Sequence, residues 1–313
     1  VIAGTFSTWL VGLFNAANWG VTSLLLAFVQ WAATLPGAYL SLPPSWLRPP
    51  AQLTVFDLGT GGAQVLITRN EAWLFDSGSA RDTAAVIEPA LRAAGVRRSD
   101  ALVVTHGDAE HTGGATELTT LFQPRAIFDS ALGDRSAARR AFHRSLREQE
   151  KPKRLVFAGD RTSAGDDTAI IFLYPDAGKP GRTADDQCIV VRIDHGPFRV
   201  LLMSDSGAET EAALLRGDRD ALRADVLVLG RHAQDIVATA GFLAAVQPRV
   251  VILAAPDPFR DGSDEPALRR RLAASGAEIF DQEQTGAVIL TVRRSNLAIR
   301  GYLDKRVSIV EAR

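Results

Sequence analysis

The chain has 313 residues, with 35 basic and 36 acidic side chains and a formal net charge of −1. This balance argues against a protein that coats nucleic acid through a general positive charge, although it leaves local basic patches open. The single cysteine, Cys188, excludes an intramolecular disulfide, a zinc ribbon and a CxxC redox site. Residues 1–47 carry no charge, and all 71 charged side chains lie from Arg48 onward. The length allows one or two domains, and this distribution predicts two chemically different parts.

The uncharged part predicts a hydrophobic, membrane-associated helical segment over residues 1–47. Its stretch Val11–Leu35 exceeds the roughly 20 apolar residues that a spanning helix needs, and its tryptophans suit the lipid headgroup zone. It has no basic n-region and no small-residue cleavage site, so it does not resemble a signal peptide. The alternative is a core helix of a soluble domain, but we expect membrane insertion or an interfacial position. Because the first residue is Val1, we expect the chain to be a piece of a longer protein.

Five prolines lie between Leu35 and Ala51 and predict the boundary between the two parts, since proline breaks helices and stiffens connectors. They are Pro36, Pro43, Pro44, Pro49 and Pro50. We place a proline-containing linker at residues 48–52 and a second domain at residues 53–313.

Strand-like and helix-like runs alternate after the linker. Leu53–Phe56 and Ala63–Ile67 predict a hairpin around a glycine-rich turn. Further predicted strands are Ala72–Phe75, Ala101–Val104, Ala169–Tyr174, Ile189–Ile193, Phe198–Met203, Asp225–Leu229, Arg249–Leu253 and Ala287–Thr291. Predicted helices are Thr83–Ala94, Ala137–Arg147, Ala208–Leu215, Val237–Val246 and Pro266–Ala274. Early antiparallel strands followed by βα units predict an α/β (α+β) sandwich of two mixed sheets with helices outside.

The sharpest chemical signal is a polar loop directly after the predicted strand Ala101–Val104. Two of the chain's five histidines, His106 and His111, lie within six residues there, interleaved with Asp108 and Glu110. Imidazole and carboxylate groups together suit zinc or manganese. A solvated polar turn is the alternative, because these residue types are common in turns.

This loop resembles the HxHxDH-type motif of the metallo-β-lactamase fold, in the HxDxDH form of the competence protein ComEC family. Four further segments resemble family motifs in the same chain order: Val55–Ala63, Leu74–Gly78, Leu201–Asp205 and Asp225–His232. The likeness covers about Leu53–Leu290, and the preceding tryptophan-rich stretch is similar to the end of that family's membrane domain. The resemblance implies a metallo-β-lactamase-like αββα four-layer sandwich with an N-terminal hydrophobic helical segment.

The resemblance also implies a set of site residues. The implied metal ligands are His106, Asp108, Glu110, His111, Asp205 and His232. Asp76 would support the metal loop without binding the metal, and Asp108 or Glu110 would accept a proton during catalysis. The implied cofactor is one or two divalent metal ions, zinc or manganese, with no small-molecule cofactor.

Several positions depart from the family pattern. Gly62 replaces an aspartate, Glu110 replaces an aspartate, Arg231 replaces a histidine, Glu265 replaces a histidine, and Asp185–Cys188 replaces an Asn-Asp-Asn-Ser type segment. A metal held by His106, Asp108 and Asp205 remains chemically reasonable. The second position, formed by Glu110, His111, Asp205 and His232, is doubtful. A cation at Arg231 would repel a nearby dication unless the arginine turned toward solvent or a phosphate.

A basic segment gives independent support for a nucleic-acid partner. Arg135–Arg154 contains eight basic and two acidic side chains. The candidate DNA contacts are Arg139, Arg140, Arg144 and Arg147, which could bind phosphates without reading sequence. The alternative is a solvated helix face. Three other residues receive structural interpretations: His143 at the surface, His195 in a hairpin turn, and Cys188 as a buried thiol.

Three functional hypotheses follow from the resemblance. The first is a membrane-tethered, metal-dependent hydrolase, a phosphodiesterase or nuclease acting on single- or double-stranded DNA during uptake in natural transformation. The second is a degenerate, non-catalytic fold with a structural or DNA-binding role in the same membrane protein. The third, a soluble hydrolase of small esters or lactones, is disfavoured by the uncharged segment and the proline linker. The implied location is the inner (cell) membrane, through residues 1–47 and an upstream part, with the soluble domain on the outer or periplasmic side.

Overall fold

The structure is a computed structural model of the chain, and it describes residues 8–34, 49–131, 133, 136–178, 185–230, 236–254, 265–293 and 295–312. The chain divides into two compact units, Val1–Pro43 and Pro44–Arg313. The end of the predicted hydrophobic segment, at residue 47, lies outside the described residues, so the domain boundary stays a prediction.

The first unit contributes one described helix, α1, which spans Thr8–Ala33. Its stretch Thr8–Ala32 has a mean hydropathy of 1.4, and no part of its most apolar window is buried. At about 1.5 Å per residue the helix extends roughly 39 Å, which exceeds the ~30 Å hydrocarbon core of a bilayer. By length and composition it could cross a membrane, although a soluble core helix or a leader passes the same test. The predicted N-terminal hydrophobic helix is therefore present.

The second unit contains sixteen strands in its described part. In chain order they are β1 (Ala51–Val55), β2 (Gln64–Thr68), β3 (Ala72–Phe75), β4 (Ala101–Val104), β5 (Ala126–Asp129), β6 (Arg154–Leu155), β7 (Arg161–Ser163), β8 (Thr168–Tyr174), β9 (Val190–His195), β10 (Phe198–Leu202), β11 (Val226–Leu229), β12 (Val250–Leu253), β13 (Glu278–Asp281), β14 (Val288–Val292), β15 (Asn296–Gly301) and β16 (Val307–Glu311).

Nine α-helices accompany these strands in the same part of the chain. They are α2 (Ala80–Asp82), α3 (Glu88–Ala93), α4 (Ala109–Thr112), α5 (Ala115–Phe122), α6 (Ala137–Glu148), α7 (Ala208–Arg216), α8 (Ala240–Val246), α9 (Glu265–Ser275) and α10 (Gln282–Thr285). A π-helical turn, Thr83–Ile87, joins α2 to α3. The predicted helix Thr83–Ala94 therefore starts three residues earlier, because Ser79 and Asp82 form a capping box at its first turn.

The strands form two mixed sheets. The nine-stranded sheet has the order β16-β15-β14-β1-β2-β3-β4-β5-β6, and its strands β3 to β6 run parallel. The seven-stranded sheet has the order β13-β12-β11-β10-β9-β8-β7, and its strands β10 to β13 run parallel. The carboxyl ends of the parallel strands are where loops with functional side chains are expected in each sheet.

Three buried apolar clusters define four layers. One cluster lies between the two sheets and includes Phe75, Phe128 and Phe172. A second packs α7, α8 and α9 on the seven-stranded sheet, and a third packs α3, α5 and α6 on the nine-stranded sheet. The order helix, sheet, sheet, helix confirms the predicted αββα four-layer sandwich.

The burial of individual strands explains which of them the sequence reveals. Strand β8 alternates buried and partly exposed residues, whereas β4 is buried at every position. Successive side chains of a strand point to opposite faces, so β4 is covered on both sides. The sequence predicted both strands but not β5, β6, β7, β13, β15 or β16. Strand β1 begins at Ala51, so the last two residues of the predicted linker belong to the sheet.

Candidate metal centre

The polar loop after β4 is shaped by a helix cap. Asp108 has extended backbone angles and is the N-cap of α4, and its Oδ1 accepts a hydrogen bond from the backbone N–H of His111 at 2.9 Å. Aspartate is among the preferred N-cap residues because its side chain satisfies a backbone N–H that has no helical partner. This cap brings the side chain of His111 back onto the carboxylate of Asp108.

Three side chains of this loop converge. Asp108 Oδ1 lies 2.8 Å from His111 Nδ1 and 3.3 Å from His106 Nδ1. One potential ligand atom from each residue lies within 4.8 Å of the others, and the two imidazole centroids are 4.9 Å apart. Both histidines are buried, whereas the Asp108 side chain is 42% exposed. Two imidazoles and one open carboxylate form a donor set that suits a divalent ion such as zinc.

A fourth side chain reaches this cluster from the other sheet. Asp205 follows β10, and its Oδ1 lies 3.6 Å from His111 Nε2. Two glycines leave room around these atoms. A Cβ at Gly62 would lie 2.7 Å from His111 Nε2, and a Cβ at Gly230 would clash with Asp205 Oδ1 and the Ser204 carbonyl. The departure at Gly62 therefore matches the local packing, because any side chain there would have to displace the imidazole.

Asp76 joins the ends of three strands behind the cluster. Its Oδ1 accepts a hydrogen bond from the backbone N–H of Thr105 at 2.7 Å, and its Oδ2 accepts one from the Thr105 hydroxyl. The Thr105 hydroxyl also lies 2.8 Å from Ser204 Oγ. Asp76 thus holds Thr105, the residue that precedes His106, and in this way it supports the metal loop. Burial raises the pKa of Asp76 to about 6, although the nearby His111 and the bonds from Thr105 oppose that rise.

The electrostatics of the cluster favour a positive charge. Burial opposes ionisation of Asp108, but hydrogen bonds from His106 and His111 outweigh it and hold the Asp108 pKa well below its usual range. Burial likewise disfavours a charged His111, yet Asp205 and the hydrogen bond to Asp108 hold its pKa well above the usual range. The carboxylates of Asp108 and Asp205 therefore stabilise a proton on the His111 imidazole. A divalent ion would take the place of that proton.

The cluster opens onto a cleft of about 190 Å³ between the two sheets. Its walls include Glu110, Asp108, His111, Asp205 and Gln282. Glu110 thus faces the same space as the convergent side chains. The residues present fit a divalent ion on three grounds: the donor set, the preference for positive charge and the room that the glycines leave.

The other predicted site residues are placed as follows. His232 and its neighbour Arg231 lie outside the described residues, so their part in a second metal position stays a prediction. His195 ends β9 at the hairpin to β10, and Cys188 is fully buried, as predicted. Burial raises the pKa of the Cys188 thiol. Sequence reasoning missed Thr105 and Ser204, since a hydroxyl next to a strand end gives no distinct sequence signal.

The basic helix α6 has two different faces. Arg139 is fully buried, and its Nη2 lies 2.6 Å from Asp129 Oδ1. His143 is also buried, with Nε2 2.8 Å from Asp129 Oδ2. Both positions correct the sequence analysis, which placed Arg139 at a DNA contact and His143 at the surface. The physical reason is the Asp129 carboxylate, which neutralises Arg139 inside the fold.

The opposite face of α6 carries three exposed arginines. Arg140, Arg144 and Arg147 are all exposed, and their spacing of four and three residues places them on one side of a helix. Helix α6 also packs against α4, which contains Glu110 and His111. A row of positive charge therefore lies on a helix that borders the metal loop. Its contact with DNA stays a prediction.

Comparison with known proteins finds a family model that matches part of the chain and a competence protein that is similar over most of it. The profile of the Metallo-beta-lactamase superfamily matches residues 59–191. Over 266 residues, 84% of this chain and 36% of the relative, the sequence is 28% identical to "Competence protein ComA" of Neisseria gonorrhoeae. The chain thus spans about a third of the length of that curated relative.

Two solved structures illustrate the structural likeness. The metallo-beta-lactamase fold protein YhfI of Bacillus subtilis aligns with a TM-score of 0.49 and 15% identity, over 73% of this chain and 95% of that one. A CmlA beta-hydroxylase variant aligns with a TM-score of 0.52 and 12% identity, over 77% of this chain and 54% of that one. At such identity the latter match shows the fold alone. Residues 59–191 are therefore similar to the Metallo-beta-lactamase superfamily, and over most of its length the chain is similar to a competence protein.

Proposed function

We propose that the domain is a metal-dependent phosphodiesterase, a nuclease, within a membrane protein of DNA uptake. The observation that carries this proposal is the convergence of His106, Asp108 and His111, with Asp205 beside them, on a cleft between the sheets. Similarity to a competence protein supports DNA as the substrate class. The apolar helix α1 supports attachment to a membrane. We place it in the inner membrane, with the domain on the outer or periplasmic side.

In this proposal, different side chains of the cleft bind the metal ion and transfer the proton. A divalent ion bound here would activate water and stabilise the negative charge that develops on a phosphate. His106 and Asp108 would hold the ion, and His111 would present Nε2 beside Asp205. Asp108 is a weak proton acceptor because its pKa is held so low. Glu110 lines the same cleft, and we assign proton transfer to Glu110 rather than Asp108.

The arginine row of α6 supplies the second part of the proposal. Phosphate contacts from arginines orient a nucleic acid without reading its sequence. Arg140, Arg144 and Arg147 point outward on a helix that packs against the metal loop. A DNA strand bound along this row would be held close to the loop that bears the cluster. This arrangement favours DNA over a small ester as the substrate.

A non-catalytic domain is the second candidate function, and one observation favours it. Asp108 Oδ1 is already engaged by the backbone and the ring of His111, so it has fewer directions left for a metal ion. In this alternative the cluster would be a structural cap, and the arginine row would bind DNA without cleavage. The alternative predicts DNA binding that needs no metal.

Metal analysis and a cleavage assay on the full chain in detergent test the proposal. We expect bound zinc or manganese and metal-dependent cleavage of single- or double-stranded DNA. His106→Ala should abolish both, because it removes one of the convergent donors. His195→Ala is the matched control, since His195 lies at the end of β9 opposite to the metal loop and bonds to Thr168. Bound metal without cleavage would favour the non-catalytic candidate, and a wild-type chain free of metal would contradict the proposal.

A further inference from the structure

The residues that lead into strand β9 lie directly beside the metal loop. The backbone N–H of Ile189 donates a hydrogen bond to the carbonyl of Thr105 at 2.9 Å. Thr105 immediately precedes His106, and the residue before Ile189 is Cys188. The only cysteine of the chain is therefore set next to a convergent histidine by main-chain geometry.

The side chains make contact as well. The Cys188 thiol hydrogen-bonds to the imidazole of His106, and Asp205 and His111 are near enough to act on it electrostatically. His106 Nδ1 faces the loop and lies 3.3 Å from both the backbone nitrogen and Oδ1 of Asp108. The His106 imidazole thus contacts two separate segments, its own loop and the residues that lead into β9.

We propose that Cys188 is a positioning residue of the metal centre, whose sulfur fixes the orientation of the His106 ring. The proposal rests on the proposed function, because it assumes that His106 binds a metal ion. Histidines that bind metals commonly use their second ring nitrogen to bond a neighbouring group, which sets the tautomer and the ring angle. Here a thiol fills the place that a carboxylate or carbonyl often occupies.

The geometry argues for this role rather than for direct ligation. Among the described residues, the atoms that converge within 4.8 Å come from His106, Asp108 and His111, and the sulfur is outside that set. Cys188 is completely buried, so water has no access to replace its bond to the ring. Loss of the thiol would leave the imidazole held from one side only.

The test compares three variants of the full chain. Cys188→Ala should lower zinc affinity about 10- to 100-fold, the usual cost of losing a group that orients a ligand. Cys188→Ser should restore most of that affinity, because a hydroxyl can make the same contact. Val190→Ala is the matched control: Val190 is equally buried two residues further along the chain but packs in the cluster under the helices. It should lower thermal stability without changing zinc affinity.

Zinc affinity is measured by chelator competition, and cobalt substitution adds a spectroscopic readout. The wild-type cobalt protein should lack a sulfur-to-cobalt charge-transfer band, whereas its d–d bands should shift in Cys188→Ala. A charge-transfer band that disappears in Cys188→Ser would make the sulfur a ligand and overturn the positioning role. Equal zinc affinity in Cys188→Ala and wild type would overturn this inference alone. A wild-type chain that binds neither ion would overturn the proposed function and this inference with it.

Discussion

Two histidine–aspartate groups stand side by side in this fold and differ in what surrounds their carboxylates. The metal cluster (His106, Asp108, His111) follows β4. The group that we call the Asp129 cluster (Asp129, Arg139, His143, Lys153) is built on the last residue of the adjacent parallel strand β5. Val104 and Asp129 are direct partners in the ladder between these strands. The same residue types at the same sheet edge thus give two different environments.

Permanent cations make the difference. Asp129 is fully buried, and it lies 2.6 Å from Arg139 Nη2 and 2.5 Å from Lys153 Nζ, in addition to its bond with His143. Asp108 is partly open to the cleft and contacts imidazoles and backbone N–H groups. A carboxylate saturated by arginine and lysine cannot also attract a metal ion. Histidine and aspartate in proximity therefore indicate a metal centre only where fixed cations do not neutralise the carboxylate.

The largest expected effect comes from removing each aspartate in turn. Asp129→Ala should lower the free energy of unfolding by about 3–5 kcal/mol, because Arg139 would remain buried without its counter-ion. Asp108→Ala should cost only about 1 kcal/mol, the usual loss for an N-cap. Metal binding should show the reverse order, with Asp108→Ala losing it and folded Asp129→Ala retaining it.

Denaturant unfolding without metal and metal titration of the folded protein check this pair. Equal stability losses in the two variants would contradict the distinction between a structural cluster and a metal site. Loss of metal binding in folded Asp129→Ala would show that the two clusters act as one.

The next effect is an opposite response to pH in the metal-free protein. Folded Asp76 has a pKa of about 6, against 3.8 as its ordinary value. The folded state therefore holds a proton that the unfolded chain has released. The free energy of unfolding should fall by up to about 3 kcal/mol as the pH rises from about 4 to about 6. The folded pKa of Asp129 is lowered, because His143 and Arg139 outweigh its burial, so its contribution is lost as the pH falls below 3.8.

Asp76→Asn isolates the first of these two responses. Urea unfolding with a chelator, repeated between about pH 4 and pH 7, should show a smaller decline in the variant than in the wild type. The difference between the two curves should level off above the folded pKa of Asp76. Parallel curves over the whole range would contradict a raised pKa for this carboxyl.

The smallest effect on stability is expected at the exposed face of α6. Changing Arg140, Arg144 and Arg147 together to alanine should alter the free energy of unfolding by about 0.5 kcal/mol or less per site. The same variant should bind DNA more weakly, with a salt slope reduced by roughly 0.9 for each lost phosphate contact. Arg219→Ala on another exposed segment serves as the control. An unchanged salt slope would mean that these arginines form a solvated helix face and make no contact with DNA phosphates.

The sequence predicted the metal loop well because its residues are adjacent in the chain. His106, Asp108 and His111 are brought together by one strand end and one helix cap, both of which are local features. The hydrophobic runs predicted a sandwich of two mixed sheets with helices outside, and the family resemblance implied the αββα order of its layers. The contact of Asp205 with His111 required the resemblance, since these residues are almost a hundred positions apart.

The buried face of α6 could not be predicted in the same way. Arg139 and His143 share a helix stripe with Phe142 and Leu146, but an arginine in such a stripe is normally assigned to solvent. Its burial depends on Asp129, which ends a four-residue strand that was not recognised. A charge count alone could not separate this face from the exposed arginines, because both contribute the same basic residues to the segment.

The contact between Thr105 and Ser204 has a further consequence. It joins the carboxyl end of β4 in the nine-stranded sheet to the loop after β10 in the seven-stranded sheet. His111 and Asp205 face each other across the same boundary between the sheets. Distances within the metal loop are set by a single helix turn, whereas the 3.6 Å between His111 and Asp205 depends on how the two halves of the sandwich are aligned. A small slip of one sheet along the other would leave the loop intact and pull this pair apart. The geometry of the site therefore depends on the alignment of the two sheets, and a change in that alignment would alter the distance between His111 and Asp205.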